Sequence, residues 1–140
     1  MLTTNATYVR NNWSAVVDSV IRDKPRFIKK TRDHLFLSDF NVLEDLLTAY
    51  TFSADEFYEE DGSVTLSLNE IDIIENGTNR EDAVNKLAMS IFEYSEEYYK
   101  DFSYWARGSR RTHIPYVFKS IVLNDVELIE RMITCHPGKI

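Results

Sequence analysis

The sequence predicts an α+β fold: a strand–helix–hairpin–helix module over residues 1–50, then a small antiparallel hairpin and a mostly helical part over residues 51–140. Three stretches carry that reading. Trp13, Val16, Val17, Val20 and Ile21 recur at spacings of three and four, which is one apolar stripe of a helix. Val64, Leu66 and Leu68 alternate with Ser63, Thr65 and Ser67 directly after Asp61-Gly62, a strong hairpin signal. From Ala83 to Phe102 apolar residues keep helical spacing, the longest such run in the chain.

Taken in order, Ala6 to Val9 reads as a short extended piece leading into the first helix. Asn12 is placed to cap that helix, and Pro25 ends it by forcing its predecessor out of helical geometry. Arg26–Thr31 and His34–Ser38 read as two strands joined at Arg32-Asp33, although Arg-Asp is not a favoured two-residue turn. Asn41 with Glu44 forms a capping box for a second helix whose face is Val42, Leu43, Leu46, Leu47 and Tyr50. Phe52–Tyr58 and the alternating run after Gly62 make the hairpin, with Glu70–Ile74 as a continuation or a further strand. Thr78-Asn79-Arg80-Glu81 caps the long helix. A basic polar loop follows at Arg107–His113; Tyr116–Val122 reads as a short helix, and Asn124 or Asp125 caps a last one carrying Val126, Ile129, Met132 and Ile133.

Composition sets the outer limits. At 44% hydrophobic and 13% aromatic residues, the 140-residue chain can bury a core. It contains no apolar run of membrane-spanning length and does not start as a signal peptide, and its single cysteine excludes an internal disulfide framework, so a cytoplasmic setting is expected. The net charge of −7 hides a division: residues 1–40 carry +3, residues 41–104 carry −13 and residues 105–140 carry +3. Such a chain can offer a basic face to phosphate while its acidic part meets a cationic protein.

No catalytic constellation emerges. The histidines His34, His113 and His136 lack neighbours at ligand spacing apart from Cys135-His136, and adjacent residues on a helix point apart. The four glycines form no phosphate loop, and Glu59-Glu60-Asp61 lacks the alternating ligands of a calcium loop. Neither cofactor nor metal is expected, and the chain does not read as an enzyme. Tyr94, Tyr98, Tyr99, Tyr104 and Trp105 form an aromatic set suited to a core and a partner surface.

The ordered run Val9-Arg10-Asn11-Asn12-Trp13-Ser14-Ala15-Val16-Val17, then Phe27-Ile28-Lys29-Lys30-Thr31, then Leu35-Phe36-Leu37-Ser38 before a helix resembles the N-terminal module of Phd/YefM bacterial antitoxins. The likeness covers residues 5–50. Trp13 replaces the usual Leu there, and Arg32-Asp33-His34 lacks the family's Gly/Asn-rich turn. The segment from Ser63 to Lys100 further resembles the strand–Gly-Thr-x-x-Glu-x-Ala–helix part of HicB-like antitoxins. The first resemblance implies an antitoxin of a type II toxin–antitoxin system: a homodimer that binds operator DNA and neutralises a cognate toxin, RelE-like or Doc-like and basic. The alternative is a protein–protein adaptor or transcriptional regulator with no toxin partner.

The DNA contacts implied by the resemblance fall on Arg10 and Asn12, with Asn11 between them; Lys29, Lys30 and Arg32 are added on charge alone, as phosphate contacts. For the partner, the expectation is a preformed surface joining the acidic hairpin at Glu59, Glu60 and Asp61 to the long-helix carboxylates Glu93, Glu96, Glu97 and Asp101.

Overall fold

The computed structural model describes residues 2–138. Its chain divides into two units, Met1–Leu46 and Leu47–Ile140.

In the first unit, β1 (Thr3–Asn5) runs parallel to β2 (Arg26–Lys30), and β2 pairs antiparallel with β3 (Asp33–Leu37), giving the order β1-β2-β3. Helices α1 (Ala6–Asn11) and α2 (Trp13–Arg22) connect β1 to β2. The expected extended piece at Ala6–Val9 is therefore helical. Asn5 causes this: its side-chain oxygen accepts from the Thr7 N–H at 2.7 Å, which caps α1 against the β preference of Thr7, Tyr8 and Val9. The hairpin turn falls on Thr31-Arg32, one residue earlier than expected, with Thr31 at φ +56°. Val9, Val16, Val20 and Ile28 form the buried cluster, joined by Ala6 and Leu37. Helix α3 (Phe40–Leu46) closes the unit, and its cap is Asp39, whose carboxylate accepts from the Asn41 N–H, in place of Asn41 itself. The face expected to run on to Leu47 and Tyr50 stops at Leu46. Leu47 is buried in the second unit, where its carbonyl accepts from Lys119 Nζ at 3.2 Å.

The second unit is a mixed sheet covered on one face by helices. Strands β4 (Phe52–Tyr58) and β5 (Val64–Leu68) form the expected hairpin, and β6 (Ile74–Gly77) extends it. Residues Glu70–Ile73 are not strand: the Glu70 carboxylate instead accepts from the Ser53 N–H and hydroxyl, and pins the loop to the start of β4. A fourth strand, β7 (Ile133–Pro137), lies parallel to β4, so the order is β6-β5-β4-β7 and the small hairpin becomes a four-stranded sheet. The expected last helix, α7 (Val126–Met132), is capped by Asp125 and stops before Ile133.

Along β4 and β5 burial alternates. Phe52, Ala54, Glu56, Val64, Leu66 and Leu68 face inward, and Ala83, Leu87, Ala88 and Ile91 of α4 (Arg80–Lys100) pack in the same core. Asn79 caps α4 through a 2.8 Å bond from the Asp82 N–H, and a methyl at Gly77 would come within 2.2 Å of the Ala83 nitrogen. After α4 come a single turn α5 (Phe102–Trp105), a 3₁₀ segment (Gly108–His113) and α6 (Ile114–Leu123). Tyr98, Ala106 and Val117 make a second buried cluster there, packed by Tyr94, Phe102, Trp105, Ile114, Phe118 and Ile121. Among the described residues no helix is long and apolar enough to cross a membrane.

Candidate functional site

Arg10 and Asn11 occupy the exposed last turn of α1, and Asn12 links α1 to α2. Asn12 stands at the cap position of α2, but its side chain makes no cap bond. It turns back to donate to the Tyr8 carbonyl at 2.9 Å, alongside its own backbone N–H. The pair Lys29 and Lys30, expected to act together, emerges on opposite faces of β2, because strand side chains alternate. Lys30 lies on the face of Ile28, which α1 and α2 cover. Lys29 lies on the bare face with Phe27, His34 and Phe36. Arg32 is exposed in the turn. Arg26 is spent internally, donating to Ser19 Oγ at 3.0 Å and Thr4 Oγ1 at 3.4 Å. None of Arg10, Lys29, Lys30 and Arg32 has an ion-pair partner among the described residues.

The bare sheet face is apolar at its centre. Phe27 and Phe36 sit opposite one another with ring centroids 5.1 Å apart, and they are 52% and 46% exposed. Trp13 and Ile21 of α2 are exposed as well, so only Val16 and Val20 of the predicted stripe reach the buried cluster.

In the second unit the acidic hairpin is well ordered. Asp61 accepts from both the hydroxyl and the N–H of Ser63, which hold its carboxyl below the usual range, and Gly62 takes φ +85°. Glu59 and Glu60 are exposed beside it. Glu93, Glu96, Glu97 and Asp101 are also exposed, and with Lys100 and Trp105 they line one shallow groove at the far end of α4. The two acidic sets do not form one surface. Arg80 at the start of α4 is 3.5 Å from Glu56, and Asn76 bonds Ser63, so the helix begins beside the hairpin. Glu97 lies 17 residues on, about 25 Å away along the axis.

Residues 107–113 do more than the basic loop expected of them. Arg107, Arg110 and Arg111 donate to the carbonyls of Ser103, Tyr104 and Ala106, and the Arg110 guanidinium stacks over Tyr104 and Trp105 at 5.1 and 4.7 Å. The spacing of three arginines within five residues after Tyr104-Trp105 was the available signal. Beneath them the Tyr94 hydroxyl meets His113 Nδ1 at 2.7 Å. Burial pushes Tyr94 up to about 12 and lowers His113. Cys135 and His136 lie on a strand, so they face opposite sides of the sheet. Among the described residues no group of three or more His, Cys, Asp or Glu is arranged to hold a metal.

A family model, PHD-like, described as antitoxin of toxin-antitoxin, RelE/RelB, TA system, matches residues 1–135. A solved structure from Syntrophomonas wolfei subsp. wolfei, described as an antitoxin part of a proposed toxin/antitoxin system, superposes with a TM-score of 0.92 at 31% identity. The superposition covers 98% of this chain and 99% of that one. No curated protein matches the sequence.

Proposed function

Since the chain belongs to the PHD-like family of toxin–antitoxin antitoxins, we propose that it is a type II antitoxin: it holds a basic RelE-like or Doc-like toxin through its second unit and represses its own operon as a cytoplasmic, DNA-binding dimer. The observation that carries the toxin contact is charge. Residues 47–140 hold seventeen acidic and nine basic side chains, whereas residues 1–46 hold six and seven. A toxin that acts on RNA is cationic where it meets phosphate, and an acidic surface with aromatic anchors covers such a patch. The separation of the two acidic sets gives two contact points, the hairpin at Glu59, Glu60 and Asp61 and the α4 groove at Glu93, Glu96, Glu97 and Asp101.

The first unit supplies the dimer and the DNA contact. A module whose described residues bury Val9, Val16, Val20 and Ile28 and leave the Phe27–Phe36 face uncovered gains by burying that face against a second copy. Lys29 then belongs to the dimer face. Arg10, Asn11, Asn12, Lys30 and Arg32 remain for DNA, and a two-fold dimer reads an inverted repeat.

Co-expression with the product of the neighbouring reading frame tests the toxin contact. Reversal of Glu59, Glu60, Glu96 and Glu97 to Lys should abolish co-purification and neutralisation; an intact complex would overturn the acidic-surface reading. The net charge of −7 favours a second reading, an adaptor that has kept the fold and lost DNA. Gel shift with the upstream region separates them, since the adaptor gives no retarded band at any salt concentration.

A further inference from the structure

We propose that the Trp105 end of α4 is a self-complementary surface through which a second copy of this chain docks about a two-fold axis. Trp105 is the joint between two oppositely charged sets. On one side it shares a groove with Glu93, Glu97 and Asp101. On the other its ring lies 4.7 Å beneath the Arg110 guanidinium, with Arg107 and Arg111 in the same segment.

Carboxylates and guanidiniums this close would be expected to pair within the chain. They do not: among the described residues the ion pairs are Arg80–Glu56 and Lys86–Asp82, and none joins the two sets. The arginines are held back by backbone carbonyls, since Arg107, Arg110 and Arg111 each donate to one in α5 or just after it. Each of those bonds uses one nitrogen of a guanidinium, and the remaining donors of the fork are free for a carboxylate. The carboxylates are equally fixed, on a helix whose opposite face is buried at Ile91, Ser95 and Tyr98.

A surface with fixed positive and negative halves side by side is satisfied by its own two-fold image. The acidic groove of one copy meets the arginine segment of the other, and the reverse contact forms at the same time. Tyr104, 51% exposed, and the edge of Trp105 supply apolar area near the axis. Nucleic acid fits this surface poorly, because phosphate drawn to the arginines would meet the adjoining carboxylates. Glu93, Glu97 and Asp101 also serve the proposed toxin contact, so self-docking and toxin docking exclude each other here.

Sedimentation equilibrium on the full chain at low salt tests the proposal, with E93K/E97K/D101K as one variant and R107E/R111E as the other. Arg110 is retained so that its stacking is kept, and circular dichroism verifies the fold of each. The first-unit dimer rests on apolar contact and survives salt, so doubling is read against the mass at 1 M salt, where the Debye length is about 3 Å: wild type at low salt should reach at least twice that mass as concentration rises. Neither variant alone should rise above its own mass at 1 M salt, because like charges then face each other. An equimolar mixture of the two should regain the doubling, since both halves of the contact are again of opposite sign. A wild type that never doubles, an E93K/E97K/D101K variant that doubles by itself, or a mixture of folded variants that fails to regain it would each overturn the proposal. If R107E/R111E does not fold, the acidic variant and the salt series still decide it.

Discussion

The Tyr94 hydroxyl and Nδ1 of His113 are hydrogen-bonded across 2.7 Å, the hydroxyl donating to a bare Nδ1 and accepting from a protonated one. Burial lowers the His113 pKa from 6.5; Asp72 opposes that shift and Arg110 adds to it. A histidine with a depressed folded value binds its proton more readily when unfolded, so stability rises with pH through the window that ends near 6.5. The expected result is an urea midpoint that falls as pH drops below about 6.5 and a His113→Gln variant with a flatter profile. Parallel profiles between pH 5 and 8 would show that this pair does not set the dependence.

Gly77 is a second pressure point. It ends β6 against the first turn of α4, and any Cβ would enter the space of the Ala83 backbone, which has no flexible end to yield. Gly77→Ala should cost about 3 kcal/mol by overpacking, measured as a shift in the urea midpoint. Gly108→Ala meets no neighbour within 4 Å, but its φ of +54° leaves a smaller cost of about 1 kcal/mol.

The opposite faces of Lys29 and Lys30 make them separable in solution. Lys30→Ala should weaken binding to all DNA sequences alike and reduce the salt slope by about one unit per subunit. Lys29→Ala should leave the salt slope unchanged. A gel-shift series across salt in which the two variants behave alike would return both lysines to one surface.

The roughly 25 Å between the hairpin and the α4 groove predicts additivity. Toxin affinity lost on reversing Glu59 and Glu60 should add to that lost on reversing Glu96 and Glu97 within about 0.5 kcal/mol. Titration calorimetry of the two double variants and the quadruple variant measures it. A coupling well above that figure would mean that one toxin element touches both sets.

How far the sequence revealed this fold depends on how local each cause is. The α2 stripe and the Asp-Gly hairpin act within a few residues and stand where their patterns put them, whereas the cap of α4 falls on Asn79, one residue after the Thr78 of the expected capping box. The error at Ala6–Val9 arose because Thr7, Tyr8 and Val9 favour strands while a single Asn5 side chain decides for helix. Strand β7 was hidden for another reason. Ile133 continues the spacing of Val126 and Ile129, and only pairing with β4 makes it extended. Charge pointed to the acidic residues but not to their grouping, which follows from the direction of α4.

The parallel pairing of Phe52 with Ile133 has a consequence in time. The first unit depends on contacts within its own 46 residues and can form as soon as they are available. Strand β4, at the middle of the second sheet, must wait for a neighbour some eighty residues downstream, and closing such a loop is slow. While the chain is being synthesised, one edge of β4 stays open after the N-terminal unit is complete. In that interval a protease can remove a nascent chain that would be protected once β7 is in place.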